Sequence, residues 1–248
     1  MNRGVVYACS HPRWLPEAVR SSASVQRHMP DLSRELFITP DLLRASGDGI
    51  RSHFTNVRIV TDAAHPHRPR FDSLVGTKLD EALFLDGDTL VLAPVYELFD
   101  VLRDFDIGIA LAPQYLSPQA AALGVYDRLP VVSAAQPEWN SGVIVARMDD
   151  AFRTFAADWS ILFTQTRADG HKMDQAALRS ALVRSRLRIA PLPNNYNFRA
   201  NVPNTITGEV KILHAHGDLE RIAAYINAER HMRIYRPMDS EIDGFKPK

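Results

Sequence analysis

An α/β fold, with a mostly parallel sheet covered by helices on both faces, is what this sequence predicts. Three observations carry the prediction. Short β-rich runs alternate with segments of helical period along most of the chain. Of the 248 residues, 46% are hydrophobic, enough for one sizeable core. The strand-like run ALFL (82–85) ends directly against two carboxylates, Asp86 and Asp88. Ligands on sheets of this kind gather at the carboxyl ends of strands.

The elements follow in order. GVVYAC (4–9) is a short strand. LPEAVRSSASVQRHM (15–29) reads as a helix, with Pro16 near its start and Val19, Ala23 and Val25 facing inward. ELFIT (35–39) and VRIV (57–60) are strands, and FDSLVGTKL (71–79) is a short helix weakened by Gly76. After ALFL, the segment VYELFDVLRDF (95–105) has apolar residues at 95, 98, 99, 102 and 105, one face of a helix. DIGIALA (106–112) and GVIVAR (142–147) are strands. Phe152, Phe155, Ala156, Trp159, Leu162 and Phe163 mark one face of a further helix, capped by Asp149 or Asp150. DQAALRSALV (174–183) is a helix, VKILHA (210–215) a strand and DLERIAAYI (218–226) a last helix. Two irregular stretches, 63–70 and 112–139, have the length and composition of binding loops or lids. Residues 229–248 are charged, contain Pro237 and Pro247 and lack periodicity. They are expected to form a partly disordered appendage to a domain of residues 1–228.

Lys plus Arg and Asp plus Glu both total 29, so the formal net charge is zero. No global field favours nucleic acid or an acidic membrane. A single cysteine, Cys9, excludes an intramolecular disulfide framework and fits a reducing compartment. No run approaches the ~20 apolar residues of a membrane span, and the opening MNRGVVYACSHPRW lacks the apolar stretch of a signal peptide. A cytoplasmic protein is expected.

Two acids against a buried strand need a physical reason. Gly87 lets the chain turn tightly, so the Asp86 and Asp88 carboxylates can converge. Converging carboxylates repel unless a positive charge sits between them. A hard divalent cation, Mn²⁺ or Mg²⁺, suits oxygen ligands and leaves positions open for phosphates. Asp-Gly-Asp is also ordinary turn chemistry, so the triplet alone does not decide.

The surrounding residues add a resemblance. ALFLDGDTLVLAPVYELFD is similar to the aspartate-x-aspartate segment of A-type glycosyltransferases, especially family 8 and glycogenin-like enzymes. Four further stretches resemble the same family in the same order. VVYACSHPRWLPEAVRSSASV resembles its first strand, nucleotide loop and first helix. WNSGVIVAR (139–147) resembles its asparagine-serine-glycine strand, DQAAL (174–178) its aspartate-glutamine pair, and HAHG (214–217) its late His-x-x-Gly. The likeness spans roughly residues 4 to 221.

The resemblance implies a single Rossmann-like nucleotide-diphospho-sugar transferase domain. It implies metal-dependent transfer from a nucleotide-diphosphate sugar, a UDP-sugar by analogy, to an acceptor it does not identify, with retention of configuration. Asp86 would contact the ribose and the metal, Asp88 would be the main metal carboxylate and His214 the third ligand. His216 competes with His214, since alternate residues of a strand share a face. Ala8, Cys9 and Ser10 match the loop that cradles the base, and Trp14 the aromatic that stacks on it. Cys9 also reads as a small core thiol, and Trp14 as a core residue. Arg70 matches a basic residue ahead of the acidic triplet, and reads equally as a helix-end charge. Asn140, Ser141 and Gly142 would line the donor sugar, with Asn197 reaching the same pocket. Asp174 and Gln175 would sit by the anomeric carbon, although Asp174 is also well suited to cap a helix.

One departure stands out. After His-x-x-Gly and two further residues, members of the family usually have a lysine that contacts the diphosphate. Counting on from Gly217, that position falls on Glu220, and Arg221 is the nearest replacement. Two rival readings remain open. A nucleotidyltransferase would carry a glycine-rich basic loop after the first strand, which ACSHPRW does not. A nucleotide-sugar-binding protein without turnover would share the fold and the acids.

Overall fold

The computed structural model describes residues 1–60, 68–113, 116–167, 173–229 and 231–237. In chain order its strands are β1 (Arg3–Cys9), β2 (Ser33–Ile38), β3 (Asn56–Ile59), β4 (Glu81–Leu85), β5 (Thr89–Val91), β6 (Ile107–Leu111), β7 (Trp139–Arg147), β8 (Ile189–Leu192), β9 (Phe198–Arg199), β10 (Asn204–Ile206), β11 (Ile212–His214) and β12 (Arg233–Tyr235). Its α-helices are α1 (Leu15–His28), α2 (Pro40–Ser46), α3 (Arg68–Gly76), α4 (Glu97–Asp100), α5 (Pro118–Ala122), α6 (Val125–Arg128), α7 (Asp150–Arg167), α8 (Gln175–Arg184) and α9 (Leu219–Ile226).

Seven strands form the central sheet in the order β3-β2-β1-β4-β7-β6-β8. All pairs are parallel except those of β7, which runs antiparallel to both β4 and β6. The expected α/β fold with a mostly parallel sheet is therefore present. Side-chain alternation splits the core in two. Val6, Phe84 and Ile144 pack with Phe71 of α3, Trp159 of α7 and Leu178 of α8. Val5, Leu83 and Val143 pack on the other face with Val25 of α1, Leu42 of α2 and Leu98 of α4. A small sheet, β5-β11-β9, lies beside the end of β4. With α9 it encloses a third cluster around Phe198, Leu213 and Ile222.

Several expectations are corrected locally. The apolar face at 95–105 is buried through Val95, Leu98, Phe99 and Leu102, but not as one helix. The α-turns of α4 end at Asp100 and a 3₁₀ turn follows over Val101–Arg103, while Phe105 is exposed. Two short turns suffice to present four apolar residues, so the pattern does not require a long helix. In α1 the buried face carries Ala18, Ser21, Ser22 and Val25, and Ala23 points outward. Serines are tolerated there because each hydroxyl is paired: Ser22 donates to the His53 carbonyl (2.6 Å), Ser24 to the Ser21 carbonyl (2.6 Å), and Ser21 bonds Thr89 (2.7 Å). Asp149, not Asp150, caps α7, accepting from the Phe152 amide at 2.9 Å. The strand expected at 142–147 begins at Trp139, and the helix expected at 71–79 runs from Arg68 to Gly76. Of the two irregular stretches, residues 63–67 and 114–115 lie outside the described residues, and 116–139 contains α5 and α6.

Within the segment expected to be an appendage, β12 pairs antiparallel with β10, and residues 238–248 lie outside the described residues. Tyr235 is buried, its ring edge-on to Phe198 at 5.2 Å and its hydroxyl donating to the Ala200 carbonyl at 2.9 Å. Tyr235→Ala is expected to lower unfolding stability by about 3 kcal/mol, the range for deleting a buried aromatic ring. Denaturant melts of the full chain check this. An effect below about 0.5 kcal/mol, the range of ordinary surface changes, would show that β12 contributes nothing to the fold.

Candidate active site

The site is assembled where β4 ends. After Leu85 the Asp86 amide donates to the Gly142 carbonyl of β7 at 2.9 Å, and the Thr89 amide closes a turn onto the Asp86 carbonyl at 3.2 Å. Thr89 Oγ1 donates to the same carbonyl at 2.8 Å and meets Ser21 of α1, which meets the Tyr7 hydroxyl at 3.2 Å. This buried hydroxyl chain ties the acid turn to α1. Gly87 is needed there for a different reason from the one expected. Its φ is not positive; instead an added Cβ would lie 3.3 Å from both Cβ and backbone nitrogen of Ala18. Close approach of α1, rather than turn geometry, selects glycine.

β5 leaves the turn and pairs with β11, setting His214 opposite Thr89, while the Ala215 amide donates to the Asp88 carbonyl at 3.0 Å. Asp86, Asp88 and His214 thereby converge, with one ligand atom from each within 4.8 Å of the others. His214 Nε2 lies 3.4 Å from Asp88 Oδ1 and 3.7 Å from Asp86 Oδ2. Its Nδ1 faces Asn197 Oδ1 at 2.7 Å. Asn197 Nδ2 donates to Asn140 Oδ1 at 2.8 Å, so its oxygen is left to accept from the ring. That assignment puts the imidazole proton on Nδ1 and turns the Nε2 lone pair toward the acids. Burial, reinforced by the nearby Arg199 charge, lowers the His214 pKa and favours the neutral ring. Burial works against the Asp88 carboxylate, but His214, then His216 and Arg199, outweigh it and hold the group well below the usual carboxylate range. Two carboxylates and a neutral imidazole are a donor set that a divalent cation fits.

Gly142 and Asn197 are placed behind this cluster. A Cβ on Gly142 would overlap the His214 ring, and neither residue lines the cavity. The expectation that they line the sugar pocket is replaced by a positioning role: Gly142 leaves room for the imidazole and Asn197 orients it. Asn140 joins them through its side-chain oxygen, which also accepts from the Gly142 amide at 3.0 Å, although the residue itself reaches the cavity wall.

A second cluster shares Asp86. The Arg70 guanidinium, on α3, pairs with Asp86, with Asp174 at 2.9 Å and with Ser141 Oγ at 2.5 Å. Asp174 occupies the N-cap position of α8 but makes no capping hydrogen bond. Its carboxylate is diverted to Arg70 and Ser141, a local rule given up at a site, as functional positions often show. Gln175, the first residue of α8, is buried and lines the cavity with its Oε1 unpartnered. A buried acceptor without a donor costs about 1–3 kcal/mol, which a hydroxyl-bearing ligand would recover.

Both clusters open on one cavity of about 380 Å³. Ala8, Ser10, Trp14 and Gly87 line it, and Trp14 is partly exposed beside His11, ring centroids 5.3 Å apart. Cys9 does not reach it. The thiol packs in the core on the other side of β1, and burial pushes its pKa up to about 11, so it is a core thiol and not a nucleophile. His216, two residues beyond the end of β11, shares the cavity with His214, and its Nδ1 donates to the Glu17 carboxylate at 3.0 Å. Gly217 (φ 114°) takes a left-handed conformation, and its carbonyl accepts from Arg20 at 2.8 Å; it is not a cavity residue. Arg221 lies on the exposed side of α9, whose first turn Asp218 caps by accepting from the Arg221 amide at 3.1 Å. It is not among the cavity residues, so the expected replacement for the lysine is not at the site. The sequence reading missed Glu17 and Arg199, both at the cavity wall. Arg199 lies in a strand of only two residues, so no spacing in the sequence singled it out.

The seven-stranded, mostly parallel sheet flanked by helices is the fold of A-type glycosyltransferases. The chain is similar to the galactosyltransferase LgtC, solved with donor and acceptor sugar analogues, with a TM-score of 0.59, 15% identity and coverage of 86% of this chain and 87% of that one. It is similar to the glycosyltransferase GlyE of Streptococcus pneumoniae (TM-score 0.58, 18% identity), covering 81% of this chain and 47% of that one. Mouse xyloside xylosyltransferase 1 matches at a TM-score of 0.56 and 13% identity, over 87% of this chain and 98% of that one. Neither a protein-family model nor a curated protein sequence matches the chain. Among the described residues, no helix is long and apolar enough to cross a membrane.

Proposed function

We propose that the protein is a metal-dependent glycosyltransferase that takes its sugar from a nucleotide-diphosphate sugar, with UDP the nucleotide, and transfers it with retention in the manner of family 8. The observation that carries this reading is that Asp86 belongs to two clusters at once, the Asp86–Asp88–His214 group and the Arg70–Asp174–Ser141 group. One is a cation site and the other an ordered carboxylate beside an unpartnered amide, and both face the same cavity.

Asp86, Asp88 and His214 would hold Mn²⁺ in preference to Mg²⁺, since an imidazole ligand suits the softer ion. When bound, the cation supplies positive charge against the leaving diphosphate. The chain's own residues do the rest. Ala8 and Ser10 form the wall for the base, with Trp14 in position to stack on it. Gln175 Oε1 accepts from a sugar hydroxyl. Asp174, held by Arg70 and Ser141, presents fixed negative charge to the sugar as it becomes cationic. A carboxylate so firmly paired stabilises charge better than it attacks carbon, which favours front-side displacement.

UDP release from a panel of UDP-sugars, with Mn²⁺ and with chelator, tests the proposal. Metal-dependent release with one donor supports it. Tight donor binding without release would make the chain a nucleotide-sugar-binding protein, and pyrophosphate release from a nucleoside triphosphate a nucleotidyltransferase. Within the proposal, Asp174→Asn and Gln175→Ala are expected to lower kcat by about a hundredfold, roughly 2.7 kcal/mol, with donor affinity changed less. The charge they meet exists mainly in the transition state. A raised KM with full kcat would assign them to ground-state binding instead.

A further inference from the structure

Arg199 is the last residue of β9, and the parallel pairing of β9 with β11 sets it level with His214. The residue lines the cavity. Nη1 lies 3.3 Å from His214 Nε2, and Nε donates to Asn201 Oδ1 at 3.2 Å. Neither partner is a carboxylate. Among the described residues, no carboxylate comes within ion-pair distance of Arg199. The contrast with Arg70 is sharp, since Arg70 is paired with both Asp86 and Asp174. Taking a guanidinium out of water without a counter-ion is unfavourable. A cation kept in this state beside an open cavity is matched to an anion that arrives with the ligand.

The position carries a second consequence. Arg199 Nη1 sits against the very nitrogen of His214 that faces the two acids. A cation entering the Asp86–Asp88–His214 group meets a like charge on that nitrogen. An anion that draws the guanidinium away clears it.

We propose that Arg199 is a diphosphate-binding residue of this site, which releases His214 Nε2 as it grips the phosphates and so couples anion binding to metal binding. The proposal deepens the glycosyltransferase reading above and rests on its diphosphate ligand. The residue thereby takes the part for which Arg221 was the candidate. Its charge comes from the strand beside the metal ligands rather than from the helix that follows them. Coupling of this kind is reciprocal: diphosphate must raise metal affinity by the factor by which metal raises diphosphate affinity.

Calorimetry on the full chain tests this with Mn²⁺ alone, inorganic pyrophosphate with Mn²⁺, and UDP with Mn²⁺. Arg199→Met is expected to bind Mn²⁺ alone at least as tightly as the wild type, because a repelling charge is gone. It is expected to bind pyrophosphate and UDP tenfold or more weakly. Arg199→Lys keeps a charge without the planar fork and should fall between. The opposite signs separate a phosphate contact from mere support of His214, which would lower metal and pyrophosphate affinity together. That joint loss in both variants, or wild-type pyrophosphate affinity in Arg199→Met, would overturn the proposal. A wild type that binds pyrophosphate with Mn²⁺ but no nucleotide, with Arg199→Met losing it, sustains Arg199 and removes the UDP donor. A wild type that binds UDP with Mn²⁺, with Arg199→Met binding it equally, does the reverse.

Discussion

Asp88→Asn is expected to weaken Mn²⁺ binding a hundredfold or more, about 2.7 kcal/mol, and to remove the metal-dependent part of UDP binding with it. The carboxylate is largely enclosed, with His214 Nε2 at 3.4 Å and His216 Nδ1 at 3.7 Å, and it is held ionised well below neutral pH. Asparagine keeps its shape, so the turn from Asp86 to Thr89 and the Ala215 amide bond to residue 88, a backbone contact, survive. What disappears is the charge. Calorimetric titration with Mn²⁺ reads the effect directly, and melting in chelator confirms that the fold is intact. Unchanged Mn²⁺ affinity would remove Asp88 from the site and leave the acid pair as turn chemistry.

A single methyl group on the strand behind the histidine is expected to do nearly as much. In Gly142→Ala the new Cβ collides with the His214 ring at Cε1 and Nδ1. The imidazole can escape only by leaving Asn197, which rotates Nε2 away from the acids, or by forcing β7 and β11 apart. Disturbing a ligand's orientation typically costs 10–100-fold in metal affinity, and overpacking costs about 1–3 kcal/mol of stability. The double variant Gly142→Ala/His214→Ala checks the cause, because without the ring there is nothing to strike. The stability cost of Gly142→Ala is expected to vanish in the His214→Ala background. A cost that persists there would place the damage in β7 itself.

The acid pair was legible in the sequence because it violates a rule: carboxylates do not belong against a buried run such as ALFL. His214 was legible through its place at the end of the strand-like run VKILHA, and His216 as its neighbour two residues on. Arg199 was not, for a physical reason. β9 is two residues long, too short for any period, and only its pairing with β11 brings Arg199 level with His214, 15 positions further on. The inward face of α1 was misread because hydroxyls satisfied by Thr89, His53 and Ser21 behave as core, and their partners lie on other elements. Asp174 was legible as a cap or as a site residue but not as a choice between them. The choice depends on Arg70, 104 positions away, which takes the carboxylate from the helix end.

The reversed strand β7 has a mechanical meaning. It enters the sheet at the end where β4 leaves it: Asn140 pairs with Ala110 of β6, the register with β6 shifts just beyond that pair, and the Gly142 carbonyl accepts from the Asp86 amide. Ser141 thus stands at a bulge between two backbone anchors, an arrangement that aims a side chain out of the sheet. Its hydroxyl meets Arg70 of α3 and Asp174 beside α8, so the bulge is the point at which the sheet and two helices are pinned to one another.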